Sequence, residues 1–378
     1  MSKIDINNHP YDEATMLKLN LFRKCFREWF PVFIHNNMVN KIYIYDMFAG
    51  SGQDSNGNSG SPMILLEESK GDTYQYCKFL NLNRDKSVTF GFNEKLHDKR
   101  ESLEICIKKH FELCRNNCHH SSCVYSQKVF CTSQNFMEIE KNSKFNEILK
   151  NQKYAKFILL DQYGFSQITD NVFLKLVNSP LTDFIFFISS SFIKRFKEHP
   201  NTTKYLNTTK MHFEETKPKE CHRIIANYFR SLIDSQKEYY VNHFTIQKGS
   251  NYYGLIFGTS HSLGMEKFVK VCWEEDKLSG ESNCNINDDY ESNTLFYNPN
   301  DSSRKNLVKK ELIDLILNRK ITSNVDGLKW VLSQGCEPKL FVETILELSN
   351  SKKIKINGKL NKKASNIHKV DTYKIIVE

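Results

Sequence analysis

A doubly wound α/β fold with a mostly parallel sheet is predicted by two features of this 378-residue chain. Runs of β-branched and aromatic residues alternate with helical periodicity through about residue 275, and the first such run ends in small residues at Asp46-MFAGSG. Before that run, Leu17, Leu21, Cys25 and Trp29 recur at four-residue steps beside Phe22, Phe26, Phe30 and Phe33, which predicts one long buried helix. The segment from Lys41 to Gly52 then reads as a buried strand entering a glycine loop.

The alternation continues in order. Strands are expected over SVTFGFNEK, SQKVFCTS, YAKFILLDQYG and DFIFFISSS, with helices at 96–113, 135–149, 166–178 and 219–234 between and after them. Two further strands, YYVNHFTIQ and YYGLIFGTS, are joined by the tight turn at Lys248-GSN and supply an antiparallel edge. Residues 1–275 therefore read as one α/β domain and the polar stretch 276–303 as a linker. Residues 304–378 follow the plan of a winged helix, with three helices (Leu307–Asn318, Asp326–Gln334, Pro338–Ser349) and two short strands, KKIKINGKL and TYKIIVE.

Composition narrows the function. Hydrophobic residues make up 39% of the chain, and no window approaches the roughly 18 consecutive apolar residues of a membrane helix. The start, MSKIDINNHPYDEAT, lacks an apolar signal core, so a cytoplasmic protein with reduced cysteines is expected. Of the net charge of +9, residues 351–378 carry six units, through Lys352, Lys353, Lys355, Lys359, Lys362, Lys363, Lys369 and Lys374 against Asp371 and Glu378. A basic end of this kind suits phosphate, and Lys352, Lys353, Lys362 and Lys363 are the expected nucleic-acid contacts, with Lys194 and Arg195 as a second basic pair after a strand end.

Four successive strand ends carry chemistry. The Gly50-Ser51-Gly52 loop presents N–H groups with little side-chain bulk. Glu94, at the next strand tip, is placed to accept ribose hydroxyls. Ser133, Gln134 and Asn135 offer polar groups for an adenine edge, and Asp161 with Tyr163 pairs a carboxylate with an aromatic ring beside a reacting group. Together they describe a nucleoside-type cofactor site.

On these stretches the chain resembles S-adenosylmethionine-dependent methyltransferases, and within them the three-Cys-motif partner (TcmP) family. The resemblance rests on Tyr11-DEATMLKLNLFRKCFREW, on FAGSG followed by Gly60-Ser61-Pro62, and on LLDQYGFSQI, FIFFISSSFIKRF and YYGLIFGTSHSLG, over about residues 10–275. It implies a Rossmann-like class I methyltransferase fold, with S-adenosylmethionine (SAM) as cofactor. Asp46, Phe48, Ala49, Gly50 and Gly52 would surround its methionine part, Glu94 the ribose, and Ser133, Gln134 and Asn135 the adenine; Asp161 and Tyr163 would stand at the acceptor. It further implies a radical-SAM-like partner protein with three cysteines, and a substrate that is nucleic acid or is presented by that partner. Gln162 departs from the proline usual after this Asp, which puts amine methylation in doubt. A non-catalytic partner or sensor subunit that keeps the fold is the alternative.

Cys106, His110, Cys114 and Cys118 recur at four-residue steps, followed by His119, His120 and Cys123. The spacing matches neither a zinc knuckle nor a radical-SAM cluster, so no metal is assigned and reduced thiols are expected. His261, near a strand end, reads as structural.

Overall fold

The computed structural model describes residues 9–71, 77–79, 86–118, 128–162, 166–213, 216–289, 302–362 and 367–378. These group into two compact units, 1–212 and 213–378.

In the first unit, helix α1 (Glu13–Ile34) precedes strand β1 (Lys41–Asp46), α2 (Ser61–Lys70), β2 (Ser87–Asn93), α3 (His97–Asn117) and β3 (Val129–Thr132). There follow α4 (Phe136–Lys141), α5 (Ser143–Lys150), β4 (Tyr154–Leu160), α6 (Asp170–Val177), β5 (Thr182–Ile188), α7 (Ser190–Arg195) and α8 (Pro200–Thr203). The five strands are parallel, in the order β3-β2-β1-β4-β5. Because β-α-β crossovers are right-handed, reversal of direction on either side of β1 sends the connecting helices to opposite faces, which is the doubly wound, Rossmann-like arrangement.

The apolar pattern of α1 is spent against this sheet. Asp12 caps it by accepting the Thr15 N–H at 2.8 Å. The rings of Phe26 and Trp29 pack on Phe157 of β4, with centroids 5.4 and 5.0 Å apart, and the indole N–H of Trp29 donates to the buried Asp183 at 2.6 Å. On its other flank, Arg23 and Arg27 donate to Glu68 of α2 at 2.7 Å. The helix expected over 135–149 is broken in two because Asn142 turns its side chain to accept the Phe145 N–H and so starts α5 afresh. Helix α2, which the sequence reading did not separate from the glycine loop, begins at Ser61-Pro62, where proline's missing N–H costs nothing.

Lys156 lies in the middle of β4 with no exposure, and its ammonium donates to the carbonyls of Leu149 and Asn151 at 3.1 and 2.9 Å, closing the end of α5. Burial pushes its pKa down to about 8 from 10.5. Between these values the unfolded chain binds more protons than the folded one, so this group makes stability rise with pH from about 8 to 10.5, at up to about 1.4 kcal/mol per pH unit. Denaturant titrations at pH 8 and pH 10 should show a steeper rise for the natural chain than for Lys156→Met.

The second unit opens with α9 (Cys221–Ser231) and the antiparallel pair β6 (Tyr240–Lys248) and β7 (Asn251–Thr259), whose turn places Gly249 at φ +57°. Helix α10 (Ser262–Glu275) follows, capped by His261 through its Nδ1, which accepts the Leu263 N–H at 3.1 Å. Helices α11 (Ser303–Leu317), α12 (Asn324–Ser333) and α13 (Pro338–Asn350) lead to the ribbon of β8 (Ile354–Asn357) and β9 (Lys374–Val377). In that ribbon Ile354 and Ile375 are buried, while Lys355, Lys374 and Ile376 are exposed.

Candidate functional site

The strand order puts the topological switch of the first unit between β1 and β4, and an open α/β sheet binds ligands outside the carboxyl ends of the strands at that point. Asp46 ends β1 there, and Asp161 and Gln162 follow β4 directly.

The loop after β1 is shaped by glycines. Gly50 and Gly52 have φ of +63° and +88°, a region that side-chain-bearing residues avoid. A Cβ on Gly52 would stand 3.0 Å from Leu103 Cδ1 and 3.3 Å from Cys106 Cβ. One on Gly60 would meet Tyr11 Oη at 3.1 Å and the Gly52 carbonyl at 3.2 Å, and the Gly60 N–H donates to that carbonyl at 2.8 Å. The loop is thus folded back on the start of α2, with Tyr11 against it. Ala49 is buried, and the Phe48 ring lies 5.5 Å from that of Phe136.

Glu94 is aimed by two backbone donors: Gly50 N–H on Oε2 at 3.0 Å and Leu96 N–H on Oε1 at 2.9 Å. Its neighbour Asn93 is buried and uses its whole amide, donating to the carbonyls of Met47 (3.2 Å) and Gln134 (3.0 Å) and accepting from Thr132 Oγ1 (2.9 Å) and Gln134 N–H (3.0 Å). Asn93 is a functional residue that periodicity does not mark; its one signal in the sequence is an Asn at a strand end before an acid. Ser133 donates to the Glu94 carbonyl at 2.8 Å. The Asn135 side chain caps α4, accepting the Met137 N–H at 3.1 Å, so its oxygen is already used.

At the β4 end, Asp161 Oδ2 accepts from Lys18 Nζ of α1 at 2.6 Å, and that ammonium also stands 4.7 Å from the centre of the Phe187 ring. Gln162 is buried. Its Oε1 accepts the Gln167 N–H at 2.8 Å, while its Nε2 has no partner among the described residues. Tyr163 lies outside the described residues. Asp46 is fully buried, and its Oδ2 has no hydrogen-bond partner among the described residues. Burial above all, with the charges of Asp161 and Glu94, raises its pKa to about 7, against the pull of the Ser61 side chain and the Phe48 N–H. Ser190, just past β5, is a third buried group whose oxygen has no partner among the described residues. Tyr11 is pushed up by burial and by the charges of Asp54, Asp161 and Cys106. The structure therefore gathers Asp46, the glycine loop, Glu94 and Asp161 at one sheet end and adds Tyr11 and Lys18, which the sequence reading gave only as part of a helix.

Lys194 and Arg195 fall in the last turn of α7, with Arg195 exposed. Lys352, Lys353 and Lys362 are exposed in the second unit, and Lys363 lies outside the described residues. Cys106, His110 and Cys114 lie along α3 with Cys118 at its end; His119, His120 and Cys123 lie outside the described residues. Among the described residues no disulfide forms.

One group of possible metal donors stands among the described residues: His222, His243 and Glu281, all buried, with donor atoms within 4.8 Å of one another. Both oxygens of Glu281 already serve guanidinium groups, Arg223 Nε at 2.5 Å and Nη2 at 2.8 Å, with Arg304 Nη1 at 3.5 Å and His243 Nε2 at 2.9 Å. Burial pushes both imidazoles down, His243 to about 4, and the arginines add to this. Burial works to raise Glu281, but Arg304 and Arg223 hold it well below the usual range. The cluster is an ion-pair core around one carboxylate.

The fold of the first unit is of the doubly wound, Rossmann-like type. No family model matches the chain, and no curated protein matches it. Solved structures similar to it include a putative methyltransferase, yhhF, from Escherichia coli (11% identity, 66% of this chain and 86% of that one, TM-score 0.28). TrmK of M. capricolum with S-adenosylhomocysteine matches at 12% identity over 86% and 96%, with a TM-score of 0.30. Trm1 of Pyrococcus horikoshii with SAM matches at 9% over 70% and 59%, with a TM-score of 0.34.

Proposed function

We propose that the chain is a SAM-dependent methyltransferase acting on nucleic acid, or on a substrate presented with a radical-SAM-like three-Cys-motif partner. The observation that carries this reading is the convergence, at the switch point, of a glycine cradle, an aimed Glu94 carboxylate and the buried polar atoms of Asp46 and Gln162 that have no partner among the described residues. These residues fit an adenosyl cofactor. The cradle would take its methionine part with Asp46, Phe48, Ala49, Gly50 and Gly52, Glu94 would take the ribose hydroxyls, and Ser133, Gln134 and Asn135 would flank the base.

When bound, the cofactor supplies an activated methyl group with its own leaving group, so the protein's share is placement. Asp46 sits where a cation favours its charged form, and Glu94 is held rigid by two N–H donors. Asp161, with Tyr163 beside it in sequence, is the group to orient the acceptor and take its proton. Calorimetric titration of the folded protein with SAM and S-adenosylhomocysteine tests the reading; absence of heat with both would sink it.

The α11–α13 helices and the β8–β9 ribbon serve in this reading as a winged-helix-like module for nucleic acid. Lys352, Lys353, Lys355, Lys359 and Lys362 are without ion-pair partners among the described residues, which leaves their charge for phosphate, and Lys194 and Arg195 form a second contact. Changing Lys352, Lys353, Lys362 and Lys363 to Glu should weaken binding to a random-sequence duplex and lower its salt slope by roughly one per lost phosphate contact. An unchanged slope in a salt titration followed by fluorescence anisotropy would return these lysines to solvent.

A further inference from the structure

We propose that Lys18 is itself a methyl acceptor, so that the chain modifies its own first helix; this rests on the methyltransferase reading above and departs from the expectation drawn from Gln162, because the amine is held by the Asp161 carboxylate and not by the turn that follows it. Three observations place its nitrogen where an acceptor belongs. It is hydrogen-bonded at 2.6 Å to Asp161, the carboxylate at the switch-point end of β4. The Lys18 and Asp161 side chains are only 13% and 16% exposed, so the pair is largely fenced from water. The Phe187 ring lies 4.7 Å from the ammonium, and an aromatic face suits a methylated, less hydrated ammonium.

The step balances with a methylsulfonium donor. The Lys18 ammonium gives a proton to Asp161 Oδ2, and its freed lone pair takes the methyl group. A C–N bond forms as the C–S bond breaks, the bonding pair stays on sulfur as a neutral thioether, and Asp161 passes the proton to water.

The test is peptide mass spectrometry of the purified full chain before and after incubation with SAM carrying a deuterated methyl group, alongside calorimetry of SAM binding on the same sample. The expected result is a labelled methyl on Lys18, absent in Lys18→Arg, and slowed at least about a hundredfold in Asp161→Asn with SAM binding kept. A methyl already present at Lys18 as purified, but missing from Asp161→Asn made in the same host, supports it equally. SAM binding with an unlabelled Lys18, or with label on other residues alone, overturns this inference and leaves the broader reading standing. Failure to bind SAM removes both.

Discussion

Replacing Glu281 with Gln should cost about 3–5 kcal/mol of stability, the largest effect expected of any single side chain described for the second unit. The carboxylate is 2% exposed and compensates Arg223 and Arg304 together while accepting from His243. A neutral amide keeps the shape and removes the charge, leaving two guanidinium groups near a site where water cannot replace it. Removing one partner of a buried pair is costly for this reason, whereas the intact pair adds little over an apolar core. Urea titration of Glu281→Gln gives the result directly. A loss under about 1 kcal/mol would mean that the cluster is well hydrated and that the arginines find water instead.

The second large effect is on the cofactor. Glu94→Ala should lower SAM affinity by roughly 30-fold, about 2 kcal/mol, the value of hydrogen bonds to a charged acceptor, with little loss of fold. Glu94 is half-buried, and its removal frees only the N–H groups of Gly50 and Leu96, which lie at a solvent-facing loop. Calorimetry compares the two affinities. An unaltered dissociation constant would take the ribose away from Glu94 and break the transferred assignment at its most specific point.

Much of this was legible in the chain. Parallel strands announce themselves as continuous apolar runs, so the β1–β5 framework and the placing of Asp46, Glu94 and Asp161 at strand tips follow from pattern alone. What was not legible depends on contacts far apart in sequence. Lys18 meets Asp161 across 143 positions, and in a helix such as α1 one lysine looks like any other. Glu281 sat in a polar stretch read as linker, because periodicity reports nothing of a carboxylate buried by arginines from 58 positions before and 23 after. Tyr11 carries no signal of its own ahead of the first helix, and its contact with the Gly60 turn arises only once the loop is folded.

Asn93 has a mechanical consequence. All four hydrogen-bonding positions of its amide are engaged, two with Gln134 and one each with Met47 and Thr132, so the tips of β1, β2 and β3 are riveted at one point. The loops that would hold opposite ends of a nucleoside therefore belong to a single cooperative opening unit, and their amides should exchange with deuterium together. A cofactor entering there would meet a socket of fixed span, set by one small buried side chain.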